Sequence, residues 1–175
     1  MQKIYLEKYH QWILIVAILL YSLIVYYSLY TRYIFFEMKE PTDSATYMQV
    51  AWSIVNSIPF TTSIQENLIR YFPYNFLGDQ LMFTLSFISP FLLFFSSAKV
   101  FLIIQIFIIS SGAFFLYKFA YYKLKTPWIP LLVTICYLVN PATFLSFKDF
   151  GFRAETIFIP CIFSMFFFCL KIKLH

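Results

Sequence analysis

The sequence predicts an all-α polytopic integral membrane protein, with about four to five hydrophobic helices and an external loop bearing an amphipathic interfacial helix. Three observations carry this. Of 175 residues, 61% are hydrophobic and only 12% charged, against about 45–50% apolar and about 25% charged in a soluble domain. The apolar residues gather into runs at 12–30, 81–95, 98–117, 128–147 and 156–170. In lipid such runs must be helical, because an open sheet leaves backbone groups unsatisfied. The net charge of +5 comes from cations at the ends of the runs, where the positive-inside rule expects them, so the expected surface partner is membrane lipid and no nucleic acid.

The chain reads as a single membrane domain over 1–175: a first span at 12–30, a loop at 31–80 and the remaining helices within 81–175. The opening "MQKIYLEKYHQWILIVAILLYSLIVYYSLY" sets basic residues before an apolar stretch and has no small-residue cleavage site. It is therefore expected to be a retained signal anchor. The loop carries Arg32, Lys39 and Arg70 against Glu37, Glu40, Asp43, Glu66 and Asp79, a net −2, while Lys118, Lys123 and Lys125 follow the third run and Lys171 and Lys173 the last. This asymmetry predicts a cytoplasmic N-terminus in the cell membrane, an external loop and cytoplasmic lysine clusters.

Counting crossings leaves two readings. If every run spans, Lys118–Lys125 emerges outside and breaks the charge rule. If 81–95, which is short and contains Pro90, only dips into the membrane, the parity is restored, and "FKDFGFRAE" (147–155) falls on the same side as the acidic loop. The second reading is preferred.

Within the loop, "PTDSATYMQVAWSIVNSIPF" (41–60) is patterned as a helix. Tyr47, Ala51, Ile54, Val55 and Ile58 share one face, with Thr46, Gln49, Ser53 and Asn56 on the other. Pro41 followed by Thr42 or Asp43 starts it and Pro59 stops it, so it is expected to lie along the membrane interface. Asp43 can cap this helix, or it can act as a base or cation ligand. Asp79, which follows Gly78 and precedes an apolar run, has the same two readings. Lys148, Asp149, Arg153 and Glu155 form a solvated rim or, more sharply, a phosphate-binding edge in which Arg153 and Lys148 donate.

Cys136, Cys161 and Cys169 fall inside apolar runs without paired spacing and are expected to be buried packing residues. His10 and His175 stand at opposite ends of the sequence, so no histidine metal site or triad is expected. Asn140-Pro141 should kink the fourth run or end it. Gln105, with Asn140, is the only polar side chain set deep in an apolar run, too few for a substrate path.

Taken together, "TDSATYMQVAWSI", "NFLGDQ" and "NPATFLSFKDFGFRAE" resemble the N-terminal part of the membrane proteins of domain-of-unknown-function family 2079, which are distantly similar to membrane glycosyltransferases of the C superfamily. The resemblance covers about residues 15–172. It implies sugar transfer from a polyprenyl-phosphate donor outside the cytoplasmic membrane. In that scheme Asp43 is the catalytic base and Asp79 a second acidic site residue. Arg153 and Lys148 would hold the lipid phosphate, with Glu155 beside them. Met48, Gln80 and Arg153 stand where the family usually carries an aspartate and two histidines, so no cofactor is expected unless the remaining carboxylates hold a divalent cation. Such proteins are also longer, which makes this chain an expected N-terminal fragment, with a partner chain to supply missing spans. The competing expectation is a non-catalytic membrane subunit or small transporter-like protein.

Overall fold

The computed structural model describes residues 2–35, 41–58, 60–62, 74–75, 83–95, 97, 99–143 and 153–172. Its helices are α1 (Gln2–Ile34), α2 (Pro41–Val55), α3 (Thr84–Ile88), α4 (Phe91–Phe94), α5 (Lys99–Leu124), α6 (Trp128–Val139) and α7 (Phe158–Ile172), the last led by a 3₁₀ turn at Ala154–Ile157. Among the described residues three helical segments, Tyr9–Ile34, Lys99–Leu124 and Glu155–Ile172, are long and apolar enough to cross a membrane. The protein is an all-α membrane protein. Among the described residues there is one departure from pure helix: β1 (Thr61–Thr62) pairs antiparallel with β2 (Tyr74–Asn75), Thr61 opposite Asn75 and Thr62 opposite Tyr74. The sequence reading expected no strands, and two residues a side are too short to show a period.

Contacts divide the chain into two units, one of residues 1–28, 106–145 and 156–175, the other of 29–105 and 146–155. In the first, α1 and α5 are antiparallel: Leu14 packs with Tyr117 and Leu131, while Ser22 Oγ meets Ser110 Oγ at 2.9 Å. The α6 helix turns back along α5, with Tyr137 Oη donating to the Ile109 carbonyl at 3.3 Å. By contrast α7 runs parallel to α5, since Phe119 meets Phe166 and Tyr122 meets Phe167. Gly112 permits this approach, because a Cβ there would stand 3.0 Å from both Ile159 Cγ2 and Tyr137 Oη.

The α5 helix continues two turns beyond the apolar run expected to end at 117. Alanine, aromatic and lysine residues sustain it, and Lys125, at φ 51°, ends it in a left-handed cap whose N–H reaches the Tyr121 carbonyl at 2.9 Å. Conversely α6 is shorter than the expected 128–147. It stops at Val139, and Asn140 turns extended with ψ 125°, the conformation a following proline imposes.

All three cysteines are exposed, which corrects the expectation of burial. A helix facing lipid is apolar on its outer face as well, so an apolar neighbourhood in the sequence does not select the interior.

In the second unit α2 packs on β1, α3 and α4. Tyr47, Val50, Ala51, Leu85, Ile88 and Phe101 form its core. Thr46 and Ser53, assigned to the polar face, are buried as well, so α2 is covered by protein on more than its apolar side. Its C-terminus closes as a Schellman turn: Ser57 takes φ 64°, and the Ile58 N–H bonds to the Ser53 carbonyl at 2.9 Å. The stretch Thr84–Phe94 bends at Ser89-Pro90 into α3 and α4. Its eleven residues rise ~16 Å, about half a hydrocarbon core of roughly 30 Å. Near the joining helix ends, Lys99 Nζ lies 4.9 Å from the Tyr30 ring centroid, so the chain leaves α1 and enters α5 at the same end.

Candidate functional site

Among the described residues of the second unit, hydrogen-bonding side chains gather on α2. Proline at its first position suits a helix start, since its missing N–H would have no intrahelical partner there. Asp43 is the third residue of α2. It therefore lies inside the first turn and not before it as an N-cap, although a carboxylate there still complements the helix dipole. The side chain of Asp43 lies outside the described residues, as do Asp79 and Lys148 entirely.

One turn after Asp43, the buried Tyr47 Oη donates to Glu155 Oε1 at 3.4 Å, long for a bond to a carboxylate. This contact links two sequence motifs separated by 108 residues. Arg153, two residues earlier, is half-buried, and its backbone N–H donates to Gln105 Oε1 at 3.1 Å. Gln105 is fully buried in α5, so a polar group placed deep in an apolar run serves to hold the 153–155 strand of chain. The structure thus brings Glu155 and the backbone of Arg153 to the α2 side.

A cavity of about 490 Å³ opens along α2, lined by Gln49, Trp52 and Asn56 together with Leu92, Leu93 and Phe101, among others. The Gln49 amide is oriented by the Thr62 hydroxyl, which donates to its Oε1 at 2.8 Å. Ser53 Oγ accepts the Thr61 N–H at 3.2 Å, so the small β-ladder fixes the polar side of the helix. Trp52 is 57% exposed. Apolar wall and amide groups in one cavity suit an amphiphilic ligand. Among the described residues no three His, Cys, Asp or Glu side chains gather as a metal site.

Tyr47, Gln49 and Trp52 are the site residues that charge-based reasoning passes over. Their signal was the helical period of 41–60, in which Tyr47 reads as a core aromatic and its hydroxyl goes unused.

Comparison with known proteins bears on the same stretch. The profile of the family described as Predicted membrane protein (DUF2079) matches residues 37–174. The chain belongs to this family. The match takes in α2 through α7 and leaves α1 outside. No curated protein and no solved structure matches the chain.

Proposed function

We propose that the chain handles a lipid-linked sugar of the polyprenyl-phosphate class, as a glycosyltransferase-like membrane protein. The observation that carries this reading is the mixed lining of the α2 cavity. The side-chain amides of Gln49 and Asn56 suit sugar hydroxyls, the exposed Trp52 offers a ring face, and Leu92, Leu93 and Phe101 offer an apolar wall for isoprenoid carbons.

On this reading Asp43, in the first turn of the same helix, takes the proton of the acceptor hydroxyl. Asp79 is a second acidic group. Arg153 and Lys148 balance the charge of the departing lipid phosphate, and Glu155, held by Tyr47, keeps the Arg153 segment beside α2. The transfer forms a bond from the acceptor oxygen to the anomeric carbon and breaks the bond from that carbon to the phosphate oxygen. A divalent cation would be held by the carboxylates.

The test is photo-crosslinking in membranes with a benzophenone-bearing polyprenyl-phosphate glucose. Adducts in peptides covering 41–58 or 83–95, competed by unlabelled lipid-linked sugar and not by polyprenol, support the reading. Adducts confined to α1 or α7, or competition by polyprenol alone, overturn it in favour of a non-catalytic membrane subunit.

A further inference from the structure

Charge is divided unevenly between the two units. The stretches 1–28, 106–145 and 156–175 contain seven lysines and one acid, Glu7, a net +6; the other six cations and seven acids of the chain leave −1. Glu7 is thus the one acidic side chain of that unit against seven lysines.

The helix directions collect these cations at one end. Lys118 and Lys123 lie in the last two turns of α5, Lys125 just beyond it, and Lys171 in the last turn of α7, which is parallel to α5. The α1 helix, antiparallel to α5, has Lys3 and Lys8 in its first two turns. Lys123, Lys125 and Lys171 are exposed, and Lys118 Nζ sits 5.4 Å from the Phe114 ring centroid. Trp12 and Trp128 are 63% and 60% exposed near the same end, with Leu124 and Ile129 exposed beside them.

We propose that this end of the helical unit is a binding surface for anionic phospholipid headgroups, with Lys123, Lys125 and Lys171 meeting the phosphates and Trp12 and Trp128 lying at the boundary with the acyl chains. Exposed tryptophan and aliphatic side chains interleaved with the lysines require a partner that is anionic at its surface and hydrocarbon beneath it. A nucleic acid or a soluble acidic protein supplies only the first. Each lysine near an anionic bilayer contributes about a fivefold preference, and salt screens it. The surface shares no residue with the α2 cavity and does not depend on the function proposed for it.

The full chain with Trp12→Phe and Trp52→Phe keeps Trp128 as its only tryptophan. It is reconstituted in vesicles of equal parts phosphatidylcholine and phosphatidylglycerol, with bromine on the acyl chains of one lipid or the other. At about 0.05 M salt the brominated phosphatidylglycerol should quench Trp128 at least about threefold more effectively than brominated phosphatidylcholine. That preference should fall towards one at about 0.5 M salt and in K123Q/K125Q/K171Q. Equal quenching by the two lipids at low salt overturns the proposal, as does a preference that the triple substitution leaves unchanged. Quenching with bromine on both lipids, the same with and without the triple substitution, checks that the fold is kept; should it differ, the salt response of the unsubstituted lysines decides alone.

Discussion

Ser22 and Ser110 join hydroxyls at 2.9 Å, and twelve residues before Ser22 the α1 residue His10 meets Trp128 edge-on at 4.3 Å, so α1 starts at the end where α5 finishes and α6 begins. The helix directions make a topological prediction independent of charge counting: the N-terminus, Lys125 and Lys171 lie on one side of the membrane. Reporters fused after Lys125 and after Lys171 should report the same side as an N-terminal tag. Cysteine at Ser63, in a background without native cysteines, should be labelled by an impermeant thiol reagent in intact cells. A reporter after Lys125 on the opposite side from the N-terminal tag would refute the antiparallel pairing.

His10 is fully buried and neither ring nitrogen has a hydrogen-bond partner. An unsatisfied buried donor costs about 1–3 kcal/mol, whereas an apolar replacement of similar shape leaves nothing to satisfy. His10→Leu should raise the unfolding midpoint in detergent, and His10→Ala should lower it by opening a void. A lower midpoint for the leucine variant would contradict the environment described.

At Gly112 two effects oppose each other. Gly112→Ala brings a methyl to 3.0 Å from Ile159 Cγ2 and Tyr137 Oη, but both are side-chain ends able to shift, and alanine gains about 1 kcal/mol of helix propensity. The change should be close to neutral. Gly112→Leu has no such room and should cost about 1–3 kcal/mol through overpacking, read as a lower unfolding midpoint in detergent.

Gln105→Leu removes the acceptor for the Arg153 N–H while keeping most of the side-chain volume. A lost bond of this kind costs about 1 kcal/mol or somewhat more. The segment around Arg153 should then open more often, so trypsin should cut after Arg153 several-fold faster than in the unsubstituted protein. Unchanged cutting would show that Gln105 does not hold the segment.

On the proposed chemistry, Asp43→Asn keeps side-chain size and removes the charge a base needs. Membrane accumulation should be unchanged and transfer reduced by about 10²-fold or more, measured with labelled lipid-linked sugar. Asp79→Asn should have a smaller effect in the same direction. Intact transfer in Asp43→Asn together with a lower protein level in Asp43→Ala would leave the carboxylate only a part in starting α2.

The spans were legible because hydrocarbon length and apolar runs are the same quantity, and α2 because its period of 3.6 is uninterrupted from Tyr47 to Val55. A helix end was legible where proline imposes it, at Asn140-Pro141. It was not legible where lysine-rich but helix-compatible sequence carries α5 on to Leu124. The fate of the cysteines and of Thr46 and Ser53 was hidden, because exposure inside a membrane follows which neighbour a helix finds and not how polar a residue is. At the site, Glu155 and Arg153 announced themselves by charge. Tyr47 and Gln105 did not show their roles, since each acts through a single oxygen whose partner lies 108 or 48 residues away.

Those separations have a consequence in time. A ribosome adds about 5–20 residues per second, so about 5–20 s pass between synthesis of Tyr47 and that of Glu155. During that interval the hydroxyl face of α2 is without its carboxylate, and Gln105, once made, waits 48 residues for the Arg153 amide. The contacts that Glu155 and the Arg153 amide bring to this unit come from chain made after α5 and α6, so Tyr47 and Gln105 must hold their places in the membrane before either partner exists.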